Sequence, residues 1–280
     1  MTSEPRKSIF LTGAASGIGR ATAKLFANRG WFVGATDRDA GGLNTLRSEA
    51  GANNIWTNTV DVTSKPDLEA ALAAFFEASG KRLDLMFNNA GIGESGWFED
   101  VPYEAALRVV NINFVGVLNG AYAALPYLKQ TPNSLMFSTS SSSATYGMPR
   151  IAVYAATKFA VKGLTEALSA EWQRHGVRVA DMLPGLIDTA ILRNTPDHTG
   201  DRGKPTEDEF YANAPKTGPF RLTPPEAVAE TVWSAYHGDK IHWYVPKEIG
   251  RIDLMKAFAP KMVRNRIVKQ IGARMGASKK

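Results

Sequence analysis

The chain has 280 residues, 44% of them hydrophobic, enough for one large α/β core, and its lack of cysteine excludes disulfides and thiolate metal sites. No uninterrupted apolar run reaches the roughly 18 residues of a membrane span, MTSEPRKSIF lacks the apolar centre of a secretory signal, and His175, His198, His237 and His242 have no metal-ligand spacing, so a cytoplasmic protein without metal is expected. The net charge of +6 is uneven: residues 240–280 hold 11 Lys/Arg against 2 Asp/Glu, a local +9, which leaves the rest mildly acidic.

In chain order, apolar and β-branched runs predict strands near 8–12 (SIFLT), 32–36 (FVGAT), 55–60 (IWTNTV), 83–87 (LDLMF), 134–138 (SLMFS), 177–183 (VRVADML) and 242–245 (HWYV). Helical patterns lie between them near 18–29, 40–49, 66–79, 103–129, 151–175 and 225–237. Short connections of this kind suit right-handed crossovers. The expected fold class is therefore α/β, a Rossmann-type doubly wound parallel sheet of about seven strands with helices on both faces. One connection, from Pro184 to Pro225, is long and rich in Pro, Gly, Asp and Thr, which marks residues of about 186–224 as a lid or substrate loop. Residues 1–246 then form one domain, and 247–280 a basic amphipathic C-terminal extension.

The first strand runs into TGAASGIG, Thr12 to Gly19, with glycines at Gly13, Gly17 and Gly19. A strand, a glycine-rich turn and a helix place backbone N–H groups and a positive dipole end where a pyrophosphate sits, and glycine removes the Cβ that would hold the phosphate off. Asp37 follows Gly19 by 18 residues, at the end of the second strand. A carboxylate there accepts hydrogen bonds from ribose hydroxyls and repels a 2′-phosphate, which favours NAD over NADP; the neighbouring Arg38 could instead pair with that phosphate.

Together with NNAG (Asn88 to Gly91), NFVG (Asn113), YAATK (Tyr154 and Lys158) and PGLIDT (Pro184 to Thr189), this turn resembles the short-chain dehydrogenase/reductase family over residues 8 to about 246. The family pattern sets a serine 13 residues before the tyrosine, here Ser141, with GMP between them. Asn111 rivals Asn113, and Ser140 and Ser142 rival Ser141; Gly116 and the 13-residue spacing favour Asn113 and Ser141. A lone Y-x-x-x-K is a weak signal, whereas five motifs in order on the expected elements are a strong one.

The resemblance implies a catalytic set of Asn113, Ser141, Tyr154 and Lys158. Tyr154 and Lys158 are i and i+4 on one helix and share a face. A phenol of pKa about 10 is a poor base at neutral pH, and a nearby ammonium with an oxidised nicotinamide favours its phenolate. Ser141 would stabilise the substrate oxygen. Asn113 would hold a water that links Lys158 to solvent.

The implied cofactor contacts are Gly13, Ala15, Ser16, Gly17, Ile18 and Gly19 at the phosphates, and Asp37 and Arg38 at the adenosine ribose. Asp61 and Val62 bracket the adenine, and Asn89, Ala90 and Gly91 follow the fourth strand. Tyr154 and Lys158 lie near the nicotinamide ribose, with Pro184, Gly185, Ile187 and Thr189 at the nicotinamide end. The expected activity is an oxidoreductase moving hydride between NAD(H) and a secondary alcohol or ketone of medium size and partly apolar character. The alternatives are an NADP-dependent carbonyl reductase, and a non-catalytic dinucleotide-binding sensor or scaffold. Gly93, Glu94, Thr145 to Met148, Gly185, Leu186 and apolar residues of the 190–222 loop (Ile191, Leu192, Phe210, Tyr211, Phe220) are candidate substrate contacts.

The resemblance also implies a homodimer or homotetramer joined through the helices near 103–129 and 151–175. No nucleic-acid partner is expected. The tail, in which Ile252, Met255, Phe258, Met262 and Ile267 alternate with Lys and Arg and Pro260 makes a break, has three readings. It packs across the substrate opening of its own or a partner subunit, contacts an anionic membrane surface weakly, or is a solvated helix. The first is preferred.

Overall fold

The computed structural model describes residues 6–51, 53–198 and 206–277. Seven strands, β1 (Ser8–Thr12), β2 (Phe32–Asp37), β3 (Ile55–Thr59), β4 (Leu85–Asn88), β5 (Leu135–Thr139), β6 (Arg178–Pro184) and β7 (His242–Val245), form one parallel sheet in the order β3-β2-β1-β4-β5-β6-β7. The order reverses between β1 and β4, so a crevice opens there at the carboxyl ends of the strands, where doubly wound sheets bind ligands.

Residues alternate between the two faces because the strand period is two. Ile9, Leu11, Leu85, Phe87, Leu135 and Phe137 pack under α1 (Gly17–Asn28), α2 (Ala40–Ala50) and α9 (Pro225–His237). Their neighbours Phe10, Met86 and Met136 pack with α3 (Lys65–Ala78) and α5 (Gly116–Leu128) on the other face, which α6 (Ala152–Glu171) also covers. Both faces are buried, which is why the strands read as nearly continuous apolar runs.

The helix expected over 103–129 is interrupted. It consists of α4 (Tyr103–Val110), a π-helical turn at Asn111–Val115, and α5. The whole piece, Tyr103–Leu128, is long and apolar enough to cross a bilayer by length and composition, but half of its most apolar stretch is buried inside the fold. The long loop contains α7 (Ala190–Asn194) and α8 (Glu207–Asn213), the latter opened by a capping box between Thr206 and Glu209. The tail forms α10 (Ile249–Phe258) and α11 (Pro260–Ala277), which meet at Ala259, with Pro260 starting the second helix.

One polar row crosses the apolar sheet. Asn88, Ser138, Asp181 and His242 are register partners on β4, β5, β6 and β7. The fully buried Asp181 accepts from His242 Nδ1 at 2.7 Å, and His242 Nε2 lies 3.3 Å from Glu166. Burial pushes the Asp181 carboxyl up to about 6, against the hydrogen bond and charge of His242. Burial works against the His242 imidazolium too, but the hydrogen bond and charge of Asp181 raise it overall. Both groups hold protons more tightly folded than unfolded. Their contribution is therefore full below the unfolded carboxylate range and is lost as pH rises through about 6 and then through the raised range of His242. Melting temperature measured against pH is expected to fall across this window, and Asp181→Asn should flatten its lower part.

Candidate functional site

The glycine turn is built by close approach. Gly13 is left-handed, with φ of 70°, and a side chain there would sit 2.9 Å from Ala90 Cα. Asn89 ties the turn to β4: its Nδ2 donates to Thr12 O at 3.1 Å and to Gly13 O at 3.3 Å. The Thr12 hydroxyl accepts from the N–H groups of Asn89 and Ala90, both at 3.1 Å. Thr12 is thus the post on which the ends of β1 and β4 are joined. The motif named its position, but sequence reasoning assigned it no part.

Side-chain caps serve α2 (Asp39) and α3 (Ser64), whereas Ser16 caps α1 without a side-chain bond, and no acidic residue occupies the first turn of α1. The first-turn N–H groups of Gly17, Ile18 and Gly19 are left for an anion. Asp37 stands beside them: Oδ2 accepts from Ala15 N at 2.9 Å and Oδ1 from Asp39 N at 3.0 Å. Each oxygen keeps a lone pair for a ribose hydroxyl. Arg38 is exposed next to it. Farther along the edge, Asp61 Oδ1 accepts from the N–H and hydroxyl of Thr63, and the Val62 carbonyl accepts from Asn119 Nδ2 at 2.9 Å. At the other end, the Pro184-to-Thr189 segment reaches the turn, so that a side chain at Gly17 would lie 3.0 Å from Thr189 Cγ2. Gly185 N donates to Val245 O at 2.7 Å, and Ile187 is buried and bridged to Thr223. A turn with glycine at 13, 17 and 19, an open helix end and a carboxylate one strand away fit a dinucleotide.

The second group gathers beyond β5. Lys158 is 3% exposed, donates from Nζ to Thr139 O at 2.8 Å, and has Nζ 5.6 Å from the centre of the Tyr154 ring. Among the described residues no carboxylate pairs with this ammonium, and burial lowers it to about 8. Burial pushes the Tyr154 hydroxyl up, and its hydrogen bond with Ser141 pulls it partly back. Ser141 Oγ also accepts from the N–H and the hydroxyl of Ser143, at 3.2 and 2.8 Å.

The rivals separate. Ser140 is turned the other way and donates to the Lys158 carbonyl at 2.9 Å, and Asn111 is exposed whereas Asn113 is fully buried. Asn113 sits on the π-helical turn, where the extra residue turns its amide to the loop after β4. Its Oδ1 accepts from Ile92 N at 2.8 Å and its Nδ2 donates to Ile92 O at 2.9 Å. That amide therefore grips the loop after β4. Gly91 lies between the groups, since a side chain there would be 3.2 Å from Asn113 Oδ1 and 3.7 Å from Lys158 Nζ. Thr139, absent from the sequence reading, joins the two halves: its hydroxyl donates to Asn89 Oδ1 at 3.1 Å while its carbonyl holds Lys158.

The substrate side differs from expectation. Glu94 is buried and holds His198 Nε2 at 2.6 Å and Arg108 at 3.3 Å, so its carboxylate fastens the loop rather than lining a pocket. Ser95 and Asp197 form a parallel bridge, and Arg150 pairs with Asp197 at 2.9 Å. The Tyr211 hydroxyl donates to Asp188, with Arg193 on the same carboxylate. Ile191 and Phe220 keep exposed apolar surface. Residues 199–205 of the loop lie outside those described.

Comparison with known proteins agrees with this geometry. The sequence profile of the short chain dehydrogenases (adh_short) matches residues 7–200. The chain is 31% identical over 208 residues to a 3-ketodihydrosphingosine reductase of Bacteroides thetaiotaomicron, covering 74% of this chain and 72% of that one. A short chain dehydrogenase/reductase of Burkholderia phymatum, solved with NAD, superposes with a TM-score of 0.77 at 25% identity, covering 94% of this chain and 96% of that one. A short chain dehydrogenase of Burkholderia cenocepacia J2315, solved with NADP, does so with a TM-score of 0.76 at 25% identity, covering 94% and 97%. Solved structural neighbours thus carry a nicotinamide dinucleotide, NAD in one and NADP in another, and the chain belongs to the short chain dehydrogenase family of oxidoreductases.

Proposed function

We propose that this protein moves hydride between NAD(H) and a secondary alcohol or ketone of medium size and partly apolar character, with Tyr154 as general acid and base. The observation that carries the reading is a buried ammonium, Lys158, with no carboxylate partner among the described residues, beside a phenol hydrogen-bonded to Ser141. A buried positive charge of this kind has no closer anion to stabilise than the phenolate.

The dinucleotide, when bound, supplies or accepts the hydride. In the oxidative direction Tyr154 takes the substrate's hydroxyl proton as its carbon loses hydride, and in reduction it returns that proton to the carbonyl oxygen. Ser141 hydrogen-bonds the same oxygen and steadies its developing charge. Lys158 favours the phenolate. Asn113 positions this group by gripping Ile92. The test is to follow reduced-nicotinamide absorbance with each cofactor and a panel of secondary alcohols and ketones. Turnover of none of them would remove the reading and favour a dinucleotide sensor.

Asp37, whose carboxylate accepts from Ala15 N in the glycine turn, supports NAD over NADP. Asp37→Ala is expected to raise kcat/KM with NADP relative to NAD by about tenfold, the factor that ~1.4 kcal/mol of relieved repulsion gives. An unchanged ratio would count against the ribose contact. The ketone reductase among the relatives supports a carbonyl substrate. A homodimer or homotetramer through α4–α5 and α6 belongs to the same reading, supported by the exposed Tyr103 and Tyr122 on that side.

A further inference from the structure

The inner side of α10 is anchored to the elements that carry the site. Ile249 is fully buried and comes within 2.9 Å of where a Gly185 side chain would stand. Asp253 takes Lys162 at 2.6 Å and the Tyr244 hydroxyl at 2.8 Å, and Lys256 lies 4.5 Å from the centre of the Phe159 ring. Phe159 and Lys162 follow Lys158 on α6, and Arg221 of the substrate loop pairs with Glu248 just before α10. The helix therefore borders the substrate side of the fold.

Its outer side is apolar and uncovered. Leu254 is 62% exposed, Phe258 83% and Met262 53%, the last on α11. Arg251, Lys261, Arg264 and Lys269 are exposed among them. Residues 249–280 hold nine Lys/Arg and one acidic residue, Asp253, and that one is turned inward to Lys162 and Tyr244. The outer side thus combines large apolar groups with an excess of positive charge. The same tail of a second copy seated there would bring like charges together, whereas an anionic lipid surface complements both features: apolar side chains enter the acyl boundary while Lys and Arg reach phosphates.

We propose that α10 and α11 form a docking surface for an anionic lipid membrane and hold the substrate side of the protein against it, so that its alcohol or ketone is a lipid-soluble molecule taken from that surface. The substrate half of this statement rests on the oxidoreductase reading; the docking half does not.

The experiment uses the full chain with vesicles of phosphatidylcholine alone or mixed with phosphatidylglycerol. Sedimentation with the mixed vesicles is expected to exceed that with phosphatidylcholine by at least ~10-fold at low salt and to collapse at high salt. Phe258→Asp with Met262→Asp should lower it about 10-fold, and Lys261→Glu with Arg264→Glu should remove its salt dependence; neither pair should alter turnover of a water-soluble substrate. Equal binding to both vesicle types, no binding, or a Phe258→Asp variant that changes only the oligomeric state would overturn docking. The Tyr154→Phe protein should still sediment, so failure of the chemistry and failure of docking are read separately. With docking intact, a ketone dissolved in mixed vesicles should be turned over faster than the same ketone in phosphatidylcholine, and equal rates would overturn the membrane source of the substrate.

Discussion

Tyr154→Phe is expected to lower kcat by about 10³-fold while leaving the dissociation constant of the dinucleotide within roughly threefold. The substitution removes one oxygen and keeps the ring against which Lys158 is placed, 5.6 Å from its centre. The glycine turn, Asp37 and the Pro184-to-Thr189 segment do not touch that oxygen, so binding should persist. In the proposed mechanism, what disappears is the proton carrier beside Ser141: hydride leaves the substrate carbon as the hydroxyl proton finds an acceptor. Ser141 is no substitute, since its hydroxyl is held among Ser143 and Tyr154 and a serine is a far weaker base than a phenolate. Steady-state turnover and dinucleotide titration followed by protein fluorescence check the two halves. Near-normal kcat would remove Tyr154 as the base, and loss of binding together with turnover would make it a structural residue.

Gly19→Ala is the second large effect. The added methyl would collide with the Gly13 carbonyl and stand 2.8 Å from Asn89 Nδ2. These neighbours are backbone and an amide already bonded to Thr12 and Gly13, so nothing flexible can move aside. The turn must open. We expect a loss of about 3 kcal/mol in denaturant unfolding, and a weakening of dinucleotide binding by roughly 100-fold because the first-turn N–H groups no longer converge. Gly163→Ala is the control: a side chain there meets nothing within 4 Å, the residue lies inside α6, and replacing a helical glycine should add up to ~1 kcal/mol of stability. Equal midpoints for the two variants would show that the crowding at Gly19 is not felt.

The parts of this protein that could be read from its sequence are those with a local cause. The unbroken apolar run Ile9, Phe10 and Leu11 announces a strand buried on both faces, because successive side chains must leave on opposite sides. The cradle is readable for another reason: glycine at 13 and 19 and a carboxylate at 37 are choices of residue type that the chemistry demands, whatever surrounds them. Tyr154 and Lys158 belong to the same class, since one helical turn sets their relation. Their motifs also fixed Ser141 against Ser140, and the hydrogen bonds agree, one serine facing Tyr154 and the other the Lys158 carbonyl.

Other features depend on what faces what across elements far apart in the chain. The π-helical turn that aims Asn113 at Ile92 contains no glycine or proline to mark it, so the sequence reads there as one continuous helix. Glu94 looked available to a substrate until His198 and Arg108, 104 and 14 residues away, closed on its carboxylate. Thr12 and Thr139 are ordinary strand residues until Asn89 lies between them. By itself, then, the sequence determined the sheet, the glycine turn with its neighbouring carboxylate and the candidate reacting groups, because pattern and residue chemistry are properties of short stretches. Only the tertiary structure decided which polar groups were already taken, that Lys158 is buried with no carboxylate partner among the described residues, and that the apolar side of the basic tail faces outward, because pairing and burial are relations between segments that meet only once the chain has folded.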